Sequence, residues 1–135
     1  MEVVALYDDY NRPKDASISE KAELQSLQAI RDQYGEVYVA ILDGEIVGTY
    51  SMYCCFNLAR ATRPFGVIEN VICKTKYRRQ GIGKALMQHA ISIAESDGWY
   101  KVCLQTSSMS KRNIAFYNAC GFTADKQGLQ VRFNA

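Results

Sequence analysis

Apolar positions along the chain switch between helical and strand spacing, and the switches outline its elements. Residues 3–7 form a short β-prone run, broken by Asn11-Arg12-Pro13-Lys14-Asp15. Ala22, Leu24, Leu27, Ile30 and Tyr34 then recur at helical spacing, which predicts a helix to about Tyr34 capped by Ser17 or Ser19. Residues 37–42 and 46–53 flank Asp43-Gly44-Glu45, a hairpin turn whose glycine admits positive φ. A polar loop carries Arg60, Arg63 and Pro64, and an apolar strand follows at 67–73. Residues 81–97 read as an amphipathic helix with Ile82, Leu86, Ala90, Ile93 and Ala94 on one arc and Gly98 as its stop. Residues 100–106 predict a strand, 112–120 a short helix stopped at Gly121, and Phe122 with residues 131–133 closing strands.

The order is a helix, a meander of strands, then strand–helix–strand–helix–strand. It implies a mixed α/β class with a central sheet. The strands before and after the 81–97 helix should run parallel. A length of 135 residues suits a single domain, 1–135, with one core. Composition adds little: 48% hydrophobic and 22% charged residues are ordinary for a globular protein. A net charge of +2 supplies no global field for nucleic acid or an anionic membrane, so neither is an expected partner. No apolar run approaches the roughly 18 residues that span a bilayer, and the first residues lack a signal-peptide pattern. The odd set Cys54, Cys55, Cys73, Cys103 and Cys120 has no metal-ligand spacing, so no metal is expected. Reduced thiols and a cytoplasmic location are the simplest reading.

Basic residues are locally dense between Lys74 and Lys84, where the apolar strand meets a glycine-bearing turn and a helix opens directly. That arrangement aims backbone N–H groups and the positive end of a helix dipole at one spot, a setting that binds phosphate. Two familiar phosphate loops fail on counting. A P-loop needs Ser or Thr after Gly-Lys, but Ala85 follows Gly83-Lys84. A dinucleotide fingerprint needs a third small residue where Leu86 stands. What remains is Arg-x-x-Gly-x-Gly at Arg78, Gly81 and Gly83, which alone also suits a surface turn before a well-capped helix.

A second segment, Asn113-Ile114-Ala115-Phe116-Tyr117-Asn118-Ala119-Cys120-Gly121-Phe122, completes the pattern. Together with the Asp-Gly-Glu-Ile-Val-Gly hairpin, these segments resemble the GNAT superfamily of acetyl-CoA-dependent N-acetyltransferases over residues 37–122. The spacing of Glu69 to Arg78, and of Asn113 to Tyr117, is most similar to the glucosamine-phosphate and aminoalkylphosphonate branches. The resemblance implies a mixed, mostly antiparallel sheet with a splayed parallel strand pair, flanked by helices. It implies direct acetyl transfer to a primary amine of a small, possibly anionic molecule, with acetyl-CoA and amine bound together. A homodimer is a common state in the family.

The resemblance also distributes roles. Backbone N–H groups across Arg79, Gln80, Gly81, Ile82, Gly83 and Lys84 would cradle the coenzyme A pyrophosphate, with Arg78, Arg79 and Lys84 adding charge. Glycine is common at position 79 in the family, and a plain solvated base is the simpler reading of Arg79. Val71, Ile72 and Cys73 would bond the pantetheine arm through their main chain as if it were an added strand. Tyr117 is the candidate general acid for the departing thiolate, its phenol near 10 being matched to a thiol near 8.5; the alternative is a core aromatic. Asn113 either bonds the pantetheine amide or caps its own helix. Glu69 either draws the proton from the amine, attracts the ammonium, or is a solvent-facing strand carboxylate with Asn70 on the opposite side. Arg60, Arg63 or Lys74 would meet an anionic acceptor group.

An acetyl-Cys73 intermediate lacks a base supplied by sequence, and His89 lies two turns from the loop, in a structural position. Two departures from the family are visible here: Thr75 replaces a common proline, and one helix precedes the hairpin where many relatives have two. Rival readings are a protein N-terminal or lysine acetyltransferase and a non-catalytic acyl-CoA-binding regulatory module.

Overall fold

A computed structural model describes residues 1–8, 18–106 and 110–133. The chain divides into two compact units, Met1–Leu104 and Gln105–Ala135. The first unit holds a four-stranded sheet in the order β1-β2-β3-β4, formed by β1 (Gly35–Leu42), β2 (Glu45–Cys55), β3 (Phe65–Cys73) and β4 (Lys101–Leu104). The first three strands are antiparallel and β4 runs parallel to β3. This is the expected mixed sheet with one parallel pair. The β1–β2 turn is tight because Asp43 and Gly44 both adopt positive φ, at 51° and 78°, the geometry that matches strand twist.

Helix α3 (Ile82–Ser96) covers one sheet face. Leu86, Met87, Ala90 and Ala94 are its buried residues; Met87 lies beside the expected arc and is fully buried. The close approach depends on small residues in the strands. A side-chain carbon on Gly48 would stand 3.0 Å from Ile82 and 3.1 Å from Leu86, and one on Gly66 would stand 2.7 Å from the Trp99 ring. His89 also belongs to this packing: its Nδ1 lies 2.7 Å from the hydroxyl of fully buried Tyr50.

Helices α1 (Glu2–Asp8) and α2 (Glu20–Asp32) precede the hairpin. The β-prone reading of residues 3–7 is therefore corrected to a helix, and two helices stand where one was expected. Val3, Val4, Leu6 and Tyr7 fall at helical spacing, and α1 packs on β2 and β3 with Leu6 buried. That tertiary packing outweighs the residues' strand preference. Ser19 caps α2, accepting from the Ala22 N–H at 3.2 Å; Ser17 and residues 11–15 lie outside the described residues.

In the second unit α4 (Lys111–Ala119) is capped by Ser110. Residues 122–132 carry no strand, so the closing strands expected at Phe122 and 131–133 are not formed among the described residues. Leu129, Val131 and Phe133 alternate as a strand would but are exposed. Their unit holds no described strand for them to pair with, and an unpaired run gains no ladder. Among the described residues no helix is long and apolar enough to cross a membrane.

Candidate functional site

Strand β3 is longer than its parallel partner. Strand β4 pairs only with Phe65, Gly66, Val67 and Ile68. From Glu69 to Cys73 the sheet has no described strand along that edge, while β2 keeps pairing on the other as far as Gly48–Cys73. The main chain of Val71, Ile72 and Cys73 therefore lies where an extended ligand can join as a strand.

A bulge interrupts the same stretch. Ser51 faces Glu69 and Thr49 faces Ile72, so β3 spends one extra residue there. Asn70 absorbs it in the left-handed region at φ 55°, a conformation asparagine tolerates better than most. The simple alternation expected of Glu69 and Asn70 is thus broken by the bulge. Bulges recur where a sheet redirects a side chain or ends its pairing.

Beyond Cys73 the chain makes a short 3₁₀ turn, Thr75–Tyr77, held by Glu45 at the start of β2. The Tyr77 hydroxyl donates to Glu45 Oε2 at 2.8 Å, Lys74 Nζ donates to Oε1, and Lys76 lies 3.9 Å away. The Lys74 N–H also donates to the Val47 carbonyl at 2.7 Å. Hydrogen bonds from Lys74 and then Tyr77 hold the Glu45 carboxyl below its ordinary range. Lys74 is therefore engaged by Glu45. Arg63 is committed too, donating to the Gly98 and Trp99 carbonyls at 3.0 Å each, and the Arg60 guanidinium lies 5.7 Å from the centre of the Tyr100 ring.

Arg78, Arg79 and Gln80 follow, all exposed, and Gly81 is the N-cap of α3. Gly81 adopts φ 81° and no side chain caps the helix. The intrahelical ladder begins with the Ala85 N–H donating to the Gly81 carbonyl at 3.0 Å, so the N–H groups of Ile82, Gly83 and Lys84 lie outside it. A side-chain carbon on Gly81 would meet nothing within 4 Å, so the space over the helix start is open. Arg79 also takes positive φ, at 65°. That is a conformation glycine holds more easily than any residue with a side chain, so Arg79 sits in a strained backbone position.

The Gly83 N–H is directed at the Cys73 thiol, which joins the loop to the end of β3. Burial pushes that thiol up, against the opposing pull of Arg78 and the Gly83 N–H. A raised thiol stays protonated near neutral pH and is a weak nucleophile. Among the described residues no three His, Cys, Asp or Glu side chains gather as a metal site.

In the second unit Ser110 Oγ accepts from the Asn113 N–H at 3.2 Å, so capping of α4 belongs to Ser110 rather than Asn113. Asn113 Nδ2 donates to Thr106 Oγ1 at 3.4 Å. The half-buried Tyr117 ring lies edge-on to Phe116 at 5.0 Å and to Phe122 at 5.9 Å. Its helix ends in a Schellman motif: the Phe122 N–H donates to the Tyr117 carbonyl and the Gly121 N–H to Asn118, with Gly121 at φ 104°. The Phe-Tyr…Gly-Phe spacing is thus a helix stop that fixes the tyrosine ring against Phe122.

Sequence reading passed over Glu45 and the Asn70 bulge. An asparagine inside an apolar strand was a visible signal for the bulge; the Glu45 contacts span 29 residues and left none.

The acetyltransferase (GNAT) family model matches residues 3–122. Glucosamine 6-phosphate N-acetyltransferase of Trypanosoma brucei brucei is 32% identical over 112 residues, covering 81% of this chain and 74% of that protein. The enzyme of the same name from Schizosaccharomyces pombe is 26% identical over 106 residues, covering 76% and 91%. A solved structure of a putative acetyltransferase from Agrobacterium tumefaciens superposes with a TM-score of 0.89 at 33% identity, covering 98% of this chain and 92% of that one.

Proposed function

This chain belongs to the GNAT family of N-acetyltransferases, and we propose that it transfers acetyl from acetyl-CoA directly to a primary amine of a small, anionic acceptor, the whole chain acting as one domain. GNAT acetyltransferases use acetyl-CoA as donor, and its thioester supplies an activated acyl carbon. One observation carries the reading: β3 presents an unpaired edge at Val71–Cys73 and leads, through the Thr75–Tyr77 turn, to an uncapped helix N-terminus with open space at Gly81. The edge suits the amide-bearing pantetheine arm; the helix start suits the pyrophosphate.

The chain's own groups then divide the work. The N–H groups of Ile82 and Lys84, with Arg78, Arg79 and Gln80 beside them, bind the diphosphate, while the Gly83 N–H ties the loop to the Cys73 thiol. Main-chain groups of Val71 and Ile72 orient the thioester, and one N–H there polarises its carbonyl. Glu69 takes a proton from the ammonium, directly or through water, and the amine nitrogen bonds to the acyl carbon. As the carbon–sulfur bond breaks, the Tyr117 hydroxyl protonates the leaving thiolate and the nitrogen gives its second proton to solvent; the phenol then regains a proton from solvent and Glu69 releases the one it took. Asn113 holds a pantetheine amide. The balance is ammonium plus thioester giving amide, thiol and one proton.

The T. brucei brucei relative makes an amino sugar phosphate the first acceptor to test. Free thiol release from acetyl-CoA is measured with glucosamine 6-phosphate, aminoalkylphosphonates, neutral amines and peptides. Turnover is expected with small anionic amines above peptides. Peptide turnover alone would make the chain a protein acetyltransferase, and coenzyme A binding with no release on any acceptor would make it a regulatory module.

A further inference from the structure

We propose that Tyr53 and Tyr7 are positioning residues for the acceptor amine, forming with the exposed Glu69 a phenol–carboxylate cluster that takes a primary ammonium. The inference rests on the reading above that the chain acetylates an amine. Three elements each contribute one oxygen-bearing side chain: α1 gives Tyr7, β2 gives Tyr53 and β3 gives Glu69.

The register brings two of them together. Tyr53 pairs with Val67, two residues before Glu69, and Ser51 pairs with Glu69 itself. Tyr53 and Glu69 are therefore diagonal neighbours on one face, about 7–8 Å apart and within reach of an aromatic side chain. Ser51, between them on that face, is small and buried, so it adds little bulk beside the carboxylate.

Tyr53 is held in place from below. A side-chain carbon on Gly35 would stand 2.7 Å from the Tyr53 ring and 2.9 Å from Ile30. The ring thus lies over the bare backbone of Gly35, beside α2, and any larger residue at position 35 would displace it. Tyr7 comes from α1, which packs on β2 and β3. Burial, then Tyr7 and Glu69, push the Tyr53 phenol up, so each of those two groups lies within electrostatic range of Tyr53.

Such a cluster lacks one thing. Among the described residues the exposed Glu69 has no ion-pair partner, and the Tyr53 phenol is its diagonal neighbour. An ammonium complements it in three ways. It gives the carboxylate its counter-charge, gives the Tyr53 oxygen a donor, and gives the Tyr53 ring a cation for its face. Glu69 adjoins the bulge and the unpaired edge of β3, so an ammonium held there stands beside the strand proposed to carry the thioester.

The test is steady-state acetyl transfer by the full chain to glucosamine 6-phosphate, or to whichever panel amine turns over fastest. Tyr53→Phe keeps the ring over Gly35 and removes only the hydroxyl. It is expected to raise the amine KM about 3–10-fold, with kcat and the acetyl-CoA KM held within about twofold. Tyr7→Phe, the second variant, should act in the same direction. In a Glu69→Gln background the Tyr53→Phe effect should shrink, because the two groups hold one cation. An unchanged amine KM in both phenylalanine variants, with the wild type active, overturns this inference and leaves the acetyltransferase reading standing. A parallel rise in acetyl-CoA KM overturns it as well, by moving the tyrosines to the donor side. A wild type that acetylates no amine overturns the reading beneath it and this inference together.

Discussion

At the scale of single residues, two positions separate binding from chemistry. Gly81 carries φ 81° at an uncapped helix start with nothing above it. Gly81→Asp adds a side chain into that space, strains the left-handed backbone and places a negative charge where a diphosphate is proposed to bind. Calorimetric titration with coenzyme A should show binding lost; normal affinity would remove the loop from the site. Tyr117 is expected to behave differently. Its ring is fixed by Phe116, Phe122 and the helix stop at Gly121, contacts that Tyr117→Phe retains. The variant should keep coenzyme A affinity and lose roughly 10–100-fold in kcat, the range for removing a positioned general acid. Unchanged turnover would return Tyr117 to the class of core aromatics. These residues were legible in sequence because their chemistry is local: glycines at fixed offsets open a helix, and Gly121 closes one. Tyr53 was not legible. Its closeness to Glu69 depends on strand register across the Asn70 bulge, which no short pattern encodes.

At the scale of elements, the same contrast recurs. Helix α3 could be placed within a residue because its period and its Gly98 stop are written in adjacent residues, and the residues it buries follow from that period. Helix α1 was misread because Val3, Val4 and Tyr7 favour strands in isolation and only packing on β2 and β3 settles them as a helix. The 3₁₀ turn Thr75–Tyr77 is a third case, held from 29 residues away by Glu45. Because Glu45 titrates below its ordinary value when folded, the sign of its contribution is set. The stabilisation is fully present above the ordinary glutamate range and disappears as pH falls through the folded value. Thermal melts of wild type and Glu45→Gln across that range should therefore converge as pH drops, and coenzyme A affinity of the wild type should weaken with them. A difference in Tm that stays constant into acid would show that the carboxylate charge does not hold the turn.

At the scale of the molecule, the sheet divides the first unit into two chemistries. The face under α3 is sealed by Tyr50, Ile68, Met87 and the Trp99 ring over Gly66. The Glu69 face, where α1 and α2 contribute Tyr7 and Ile30, carries polar groups, whereas the bare Gly48 backbone lets α3 approach the other face at Ile82 and Leu86. Sulfur placement follows this division. Cys54, Cys55 and Cys73 all have their thiols pushed up by burial, and Cys103 donates to the Gly66 carbonyl at 3.6 Å. None of the five cysteines forms a disulfide. Thiolate is the reactive form, so raised thiols should react slowly in the native protein. Labelling with a thiol-reactive aromatic disulfide near neutral pH is expected to modify these buried thiols slowly and all five quickly once denaturant is added. Saturating coenzyme A should slow Cys73 further, since it lies against Gly83 at the proposed diphosphate loop. Rapid native labelling of Cys73, unaffected by coenzyme A, would show that the end of β3 and the loop open independently of the ligand, against a diphosphate site tied to Cys73 through the Gly83 N–H.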